Sequence, residues 1–219
     1  MKKQFLGLIL LLILFTTYTP NFNFSPGSNL NIKKIKIENN YILSTDKILK
    51  KLNFLLNENL FVINLDIIQK SLKDLDFIES FRIKKIYPNT IKVTIVERKP
   101  IAVLQKKKKK FYISNKGDLI DFKKIKLFEN LPIVFGEEDK FYSFYNDILS
   151  INFPVDEVKK FYFFESGRWD IVLRDKKVVK LPTENYLPSL KNFLLSQGNT
   201  NFDKYKIFDY RIKDQLILN

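Results

Sequence analysis

Hydrophobic and polar positions follow a regular pattern along residues 31–99. Ile35 and Ile37 alternate with lysines, as on a half-buried strand. A stripe of apolar residues at helical spacing follows, and Ser44 with Asp46 is placed to cap the helix that carries it. The stripe consists of Ile48, Leu52, Leu55 and Leu56. This segment therefore predicts a strand followed by an amphipathic helix.

A second short helix and a hairpin complete this unit. Asn64 or Asp66 can cap the helix. Its inner face is expected to consist of Ile68, Leu72 and Leu75. Apolar and polar residues then alternate on both sides of a turn at residues 87–90, where Pro88 fixes a backbone dihedral angle. The predicted order is strand, helix, helix, strand, strand.

The pattern from residue 100 onward predicts a β-rich domain with two helices, which makes the whole chain α+β. The expected strands are residues 101–104, 111–113, 119–122, 158–164, 168–174 and 178–181. The expected helices are residues 139–149 and a segment striped by Leu187, Leu190 and Leu194. Residues 205–218 alternate apolar and polar side chains, which predicts one long C-terminal strand at the edge of a sheet.

The N-terminal residues differ from both units. Two lysines precede an apolar run at residues 5–19, which is shorter than the ~20 residues that a bilayer-spanning helix needs. No Ala-x-Ala cleavage site follows the run, so a retained single-pass anchor is favoured over a signal peptide or a buried soluble helix. The positive-inside rule then predicts a cytoplasmic tail at residues 1–4 and an extracytoplasmic location for everything beyond a linker at residues 20–30.

Composition excludes most catalytic chemistry. The 219 residues include no Cys and no His, so Cys/His zinc sites, thiolate nucleophiles and Ser-His-Asp triads are excluded. The acids Glu137, Glu138 and Asp139 precede a predicted helix and are better explained by its dipole than by a catalytic pair. We therefore expect no enzyme, no cofactor, no metal and no small-molecule substrate. An anchored wall-modifying enzyme would need a functional pair of acids.

The net charge of +14 is weak evidence for nucleic acid. Nearly all cations are lysines spread along the chain, whereas phosphate and base recognition tends to recruit arginine. We therefore expect no nucleic-acid partner. The five consecutive lysines at residues 106–110 suit either a solvated hairpin tip or a contact with anionic headgroups or acidic wall polymers.

Three stretches of the chain carry specific motifs. Residues 82–102 run as a basic strand, a Tyr-Pro turn, an apolar strand and the junction Glu97-Arg98-Lys99-Pro100-Ile101-Ala102. Residues 58–64 link the two predicted helices, and residues 131–136 have the pattern Leu-Pro-x-x-x-Gly. Together these stretches resemble the FtsQ/DivIB family of bacterial cell-division proteins, with its link between two helices and its Leu-Pro-x-x-x-Gly loop. The resemblance implies a POTRA domain at residues 31–99 and an FtsQ-type β domain at residues 100–219.

The resemblance also implies a function. It implies a non-enzymatic scaffold of the inner membrane, enriched at the septum, that links early and late division proteins and helps control septal peptidoglycan synthesis. Small coiled-coil division proteins are expected to dock on the C-terminal strand and the strands beside the last helix. The candidate partner-binding residues are Phe208, Tyr210, Arg211, Ile212, Lys213, Leu216, Arg168 and Trp169. The alternative is another POTRA-bearing membrane assembly or secretion scaffold.

Two further expectations concern single residues. Trp169 is the sole Trp and has a second interpretation as a core residue. Glu97, Arg98 and Pro100 are the candidate junction between the domains. Proline fixes its own dihedral angle and restricts the residue before it, so this junction is predicted to be stiff.

Overall fold

The computed structural model describes residues 30–197 and 199–219, together with Gly7. Within these ranges the strands form a three-stranded sheet and a nine-stranded sheet. The predicted membrane anchor at residues 5–19 lies outside the described ranges, apart from Gly7. Among the described helices, none has the length and apolar character needed to cross a bilayer.

The first unit has the predicted order of elements. These are β1 (Lys34–Glu38), α1 (Thr45–Leu52), α2 (Leu65–Lys73), β2 (Ile78–Ile86) and β3 (Thr90–Glu97). Strand β3 is central, since it pairs in parallel with β1 and antiparallel with β2. Asn64 caps α2, and its side chain accepts a hydrogen bond from the Asp66 N–H at 2.9 Å. Ser44 occupies the N-cap of α1 without a side-chain hydrogen bond.

One face of the three-stranded sheet packs on both helices. Because side chains alternate along a strand, Ile91, Val93 and Ile95 of β3 share the inner face, and all three are buried. The expected helix residues Ile48, Leu52, Ile68 and Leu72 complete this core. Leu56 was expected in the apolar stripe but is 38% exposed. The α-helix ends at Leu52 and a short 3₁₀ turn, Asn53–Leu55, rotates the chain away from the core.

The second unit is built on the nine-stranded sheet. Its strands are β4 (Pro100–Lys106), β5 (Lys109–Ser114), β6 (Leu119–Asp121), β7 (Ile133–Phe135), β8 (Val158–Phe163), β9 (Trp169–Leu173), β10 (Val178–Lys180), β11 (Ile207–Asp209) and β12 (Ile217–Leu218). Their order across the sheet is β12-β11-β10-β9-β8-β7-β4-β5-β6. The helices are α3 (Glu138–Ser150) and α4 (Tyr186–Ser196).

An aromatic core lies between this sheet and its two helices. The inward residues of α3 are Phe141, Phe144 and Ile148, as expected, and α4 contributes Leu190 and Phe193. The Trp169 ring stacks on Phe144, with 4.8 Å between ring centroids, and only 4% of Trp169 is exposed. Trp169 is therefore a core residue, and its side chain is not part of the protein surface.

Strand β7 corrects the expectation of a loop at residues 131–136. It lies inside the nine-stranded sheet, parallel to both β4 and β8. Only three residues long, it is too short for an alternating pattern to show in the sequence. Gly136 directly follows this strand. A Cβ atom at this position would lie 2.6 Å from the Cβ of Phe163, so only glycine fits there without a shift.

The C-terminal segment also differs from the sequence prediction. Instead of one strand over residues 205–218, β11 pairs in parallel with β10, and β12 folds back antiparallel to β11. The chain reverses through a turn in which Gln215 N–H donates to Ile212 C=O and Asp214 has a φ of 58°. The apolar–polar alternation breaks at this turn, because Lys213, Asp214 and Gln215 are three polar residues in a row. This polar run is the signal of the reversal in the sequence.

Candidate partner-binding surface

Strand β12 forms one open edge of the nine-stranded sheet. Ile207 and Asn219 exchange both backbone hydrogen bonds, at 2.8 and 3.1 Å. Hydrogen-bonded and non-bonded pairs alternate along an antiparallel ladder, so the adjacent pair of Phe208 and Leu218 is non-bonded. The N–H and C=O groups of Leu218 consequently point away from β11. Within the described part of the chain, no further strand lies on that side.

Apolar side chains surround this edge on the protein surface. Ile212, Leu216 and Ile217 are 51%, 37% and 43% exposed. The cations Arg211 and Lys213 are exposed in the same turn. The edge therefore combines outward backbone groups, exposed apolar side chains and positive charge.

Three of the predicted partner-binding side chains lie in the core instead. Phe208 and Tyr210 are 1% and 6% exposed, and Trp169 is buried as described above. The Phe208 ring makes an edge-to-face contact with Phe193 of α4 at 4.9 Å. Burial raises the pKa of Tyr210 to about 12. These side chains pack β9 and β11 against the core. Direct contact with a partner would therefore involve the backbone of the edge and the exposed residues of the turn.

A row of alternating charges lies beside the edge, on the sheet face away from the helices. Asp170 of β9, Lys180 of β10 and Asp209 of β11 are directly opposite one another. Arg211 binds Asp209 with two donors, Nε at 2.9 Å and Nη2 at 2.6 Å. Arg168 Nε lies 3.5 Å from Asp170 Oδ1. Both predicted arginines are therefore present at this surface, each paired with an acid of the row.

The two acids of this row have pKa values shifted in opposite directions. Hydrogen bonding from Arg211 lowers the pKa of Asp209. Burial raises the pKa of Asp170, and the nearby Arg168 offsets only part of that effect. The guanidinium group of Arg168 also lies over the Phe164 ring, 4.1 Å from its centroid. Asp209 and Arg211 consequently form an ion pair, whereas the effect of burial on Asp170 exceeds what its cationic neighbours offset.

The predicted domain junction is a close contact between the two units. Only Arg98 and Lys99 separate β3 from β4. Glu97 Oε2 accepts hydrogen bonds from the N–H groups of Tyr41 and Ile42 at 2.8 and 2.9 Å, and its Oε1 accepts one from Leu43 at 2.9 Å. One carboxylate thereby ties the loop after β1 to the end of β3.

The other two junction residues lie on either side of the connection. Arg98 Nη1 donates to Asp76 C=O at 2.7 Å, and the Arg98 N–H donates to Phe77 C=O at 2.8 Å. Pro100 is buried at the start of β4, opposite Ser114 of β5. The connection is therefore held by hydrogen bonds to the first unit and by strand pairing in the second.

A hydrophobic cluster joins the two units, and no pattern in the sequence predicts it. Phe77, which precedes β2, packs with Val103, Tyr112 and Ile120 of the nine-stranded sheet, and all four are buried. Ile42 and Leu43 pack against the same cluster. Three ion pairs lie across the same boundary: Asp76–Lys123, Glu79–Lys116 and Arg98–Asp118. The signal in the sequence was Phe77 itself, a large apolar residue outside the stripe of α2.

Two family models match the described units. The model described as "POTRA domain, FtsQ-type" matches residues 30–98. The model described as "Cell division protein FtsQ/DivIB, C-terminal" matches residues 102–211.

Two FtsQ sequences agree with these models. The chain is 29% identical to the cell division protein FtsQ of Rickettsia bellii over 84% of this chain and 70% of that protein. It is 28% identical to the FtsQ of Rickettsia felis over 98% of this chain and 87% of that protein. A solved extracytoplasmic domain of DivIB from Geobacillus stearothermophilus matches with a TM-score of 0.34 and 12% identity, over 45% of this chain and 89% of that one.

Proposed function

Because the chain belongs to the FtsQ/DivIB family, a family of non-enzymatic scaffolds of the bacterial division machinery, we propose that it recruits other divisome proteins through the β12 edge. A small coiled-coil division protein would add an extended segment beside β12 as a further strand. This contact would let the chain link early and late division proteins and so help control septal peptidoglycan synthesis.

The orientation of Leu218 is the observation that supports this docking mode most directly. Its N–H and C=O groups point outward from the sheet, and strand addition uses such groups as its main source of affinity. Ile212, Leu216 and Ile217 provide apolar contacts beside the added strand. Lys213 favours a partner segment that carries acidic residues, whereas Arg168 and Arg211 already pair with Asp170 and Asp209.

A proline at position 218 tests the proposal. Leu218→Pro removes the outward N–H, and its ring obstructs a neighbouring strand, while the bonded pair of Ile207 and Asn219 stays intact. Leu218→Ala is the matched control, because it shortens the same side chain and keeps the N–H. Each net hydrogen bond contributes about 1 kcal/mol and an orphaned partner costs more, so we expect Leu218→Pro to weaken binding about tenfold or more relative to Leu218→Ala.

Binding is measured by calorimetry with the purified coiled-coil partner. Lys108→Pro, at the opposite hairpin tip, should leave binding unchanged. Equal affinities for the Pro and Ala variants would contradict docking on this edge. Arg211→Pro and Lys213→Pro would test docking on a single strand over residues 205–218. They do not test the β12 edge, because both residues lie in the turn between β11 and β12.

We also propose that residues 5–19 are a retained single-pass anchor, with residues 1–4 in the cytoplasm and the two folded units outside it at the division septum. The apolar run and the lysines before it support this topology. Residues 31–99 and 100–219 would then be the two extracytoplasmic domains. N-terminal sequencing of the mature protein should find the original N-terminus, and a start near residues 20–30 would contradict the anchor.

A further inference from the structure

The outward face of the three-stranded sheet carries a cluster of cations. Residues Lys36 of β1, Lys92 of β3 and Lys84 of β2 are directly opposite one another and form a single row across the sheet. Lys34 and Arg82 lie on the same face. We call these five residues the basic face. Like charges placed opposite each other on adjacent strands destabilise a sheet, so this row is unfavourable for the isolated domain.

The basic face is poorly compensated within the described residues. Among residues 30–197 and 199–219, its one ion pair joins Lys92 to Glu38 at 2.6 Å, and Lys34, Lys36, Lys84 and Arg82 have no acidic partner there. Most lysines elsewhere in the described chain also lack an acidic partner, so the missing ion pairs alone do not distinguish this face. What distinguishes it is that Lys36, Lys92 and Lys84 lie directly opposite one another on adjacent strands.

An apolar tip lies at one end of the same domain. Phe61, Val62 and Tyr87 are 56%, 80% and 56% exposed, and the rings of Phe61 and Tyr87 are 5.5 Å apart. We call these three residues the N-terminal tip, because the chain enters the domain beside them. Leu60 N–H donates to Leu30 C=O at 2.9 Å, and Lys33 N–H donates to Asn89 C=O at 2.8 Å.

The sequence restricts how far this tip can be from the apolar run. Residues 20–29 link the run to Leu30, and ten residues span at most about 35 Å when fully extended. If residues 5–19 are the anchor, the N-terminal tip and the adjacent end of the basic face therefore stay close to the bilayer surface. Aromatic side chains and lysines are the residue types that bind the interface of an anionic membrane.

We propose that the basic face and the N-terminal tip dock on the anionic lipid surface of the membrane that holds the anchor. Phe61, Val62 and Tyr87 insert at the headgroup level, and the lysines contact the lipid phosphates. This contact fixes the orientation of the first domain, and the packed junction transmits that orientation to the β12 edge. The inference depends on the anchor proposed above and not on the edge as a docking site.

A single fluorescent label tests the lipid contact. The chain contains no Cys, so Val62→Cys provides a unique labelling site for an environment-sensitive dye on the full-length protein. The protein is placed in nanodiscs of phosphatidylcholine alone or with phosphatidylglycerol. We expect a blue shift and brighter emission only in the anionic discs, reversed by high salt because ions screen exposed charges. A label at Leu195→Cys, 81% exposed on α4, should not respond.

Matched charge reversals identify the surface involved. Lys36→Glu with Lys84→Glu changes the basic face, and Lys108→Glu with Lys109→Glu changes the net charge equally at the hairpin tip. Each lysine near an anionic surface is expected to contribute on the order of fivefold to the ratio of docked to free domain. The first pair should abolish the blue shift and the second should leave it unchanged. The first pair also replaces the two positive charges beside Lys92 with negative ones. The melting temperature of this double variant should therefore not fall.

Several outcomes would overturn the proposal. These are equal spectra in both kinds of disc, loss of the shift in both double variants, or a shift that requires an added acidic protein. Gel filtration shows separately whether the protein stays on the disc. A protein that leaves the disc would contradict the proposed anchor but not the lipid contact of the basic face. In that case the same labelled protein mixed with phosphatidylglycerol vesicles still tests the basic face.

Discussion

The two sheets of this protein arrange charge on their outward faces in opposite ways. The three-stranded sheet places Lys36, Lys92 and Lys84 side by side. The nine-stranded sheet places Lys180 between Asp170 and Asp209. The lysines of the first row repel one another, whereas the neighbouring charges of the second row attract one another.

This difference shows that the net charge of +14 says little about either surface. Opposite charges on adjacent strands contribute roughly 0.2–1 kcal/mol, and like charges cost a similar amount. The nine-stranded sheet therefore compensates the charges of its row internally. The three-stranded sheet leaves its charges available to an external anion. The same residue type thus has two roles, which depend on its cross-strand neighbours.

The largest effect is expected from separating the two regions. Phe77→Ala removes the aromatic ring at the centre of the cluster that joins them, and burial changes of this kind cost about 3–5 kcal/mol. Urea denaturation should show this loss, and small-angle scattering should show a wider distribution of shapes. Phe54→Ala, at a position 41% exposed, is the control and should change stability little.

The next effect concerns the carboxylate at the junction. Glu97→Gln keeps the shape of the side chain but cannot accept all three N–H groups equally well as a neutral amide. Hydrogen bonds to a charged group contribute about 1.5–3 kcal/mol, so we expect a loss of about 2 kcal/mol and a looser interdomain angle. Pro100→Gly acts mainly through chain entropy and should cost about 1 kcal/mol. Larger loosening by Pro100→Gly in scattering would contradict the assigned role of Glu97.

The acids of the alternating row should respond to pH with opposite signs. The pKa of Asp209 is lowered in the folded state, so its stabilising effect is complete above its unfolded pKa and is lost as the pH falls through its folded pKa. The pKa of Asp170 is raised, so its charged form destabilises the fold at neutral pH and acidification relieves this. At pH 7, Asp209→Asn should cost more stability than Asp170→Asn, and thermal melting from pH 7 to 3 measures both.

The smallest effect comes from exchanging charge in the two rows. Lys36→Glu places an acid beside Lys92 and should stabilise the first sheet by about 0.2–1 kcal/mol. Lys180→Glu places a third acid between Asp170 and Asp209 and should destabilise the second sheet by a similar amount or more. Melting temperatures should therefore move in opposite directions. A change of the same sign in both variants would show that net charge, and not the neighbours, determines the effect.

The family prediction made from the sequence is confirmed, and so is the role as a division scaffold. The junction motif at residues 97–102 carried that prediction because it is a specific order of residues within a single stretch. The order of elements in the first unit was equally accessible. Helices and strands there are amphipathic and follow one another closely, so residues such as Ile91 and Leu72 reveal their buried faces locally.

The rest depended on which strand lies beside which. Strand β7 carries no periodicity of its own, and the turn between β11 and β12 is marked only by the polar run at residues 213–215. Phe77 lies between elements, where no local pattern assigns it a partner.

The opposite charge rows depend on register in the same way. Alternation along a strand determines which side chains face the core, but not which residue of another strand lies opposite. Backbone hydrogen bonds between strands are the same for any side chain. Register, the open edge at Leu218 and the repulsion among Lys36, Lys84 and Lys92 were therefore decided only when the whole chain packed.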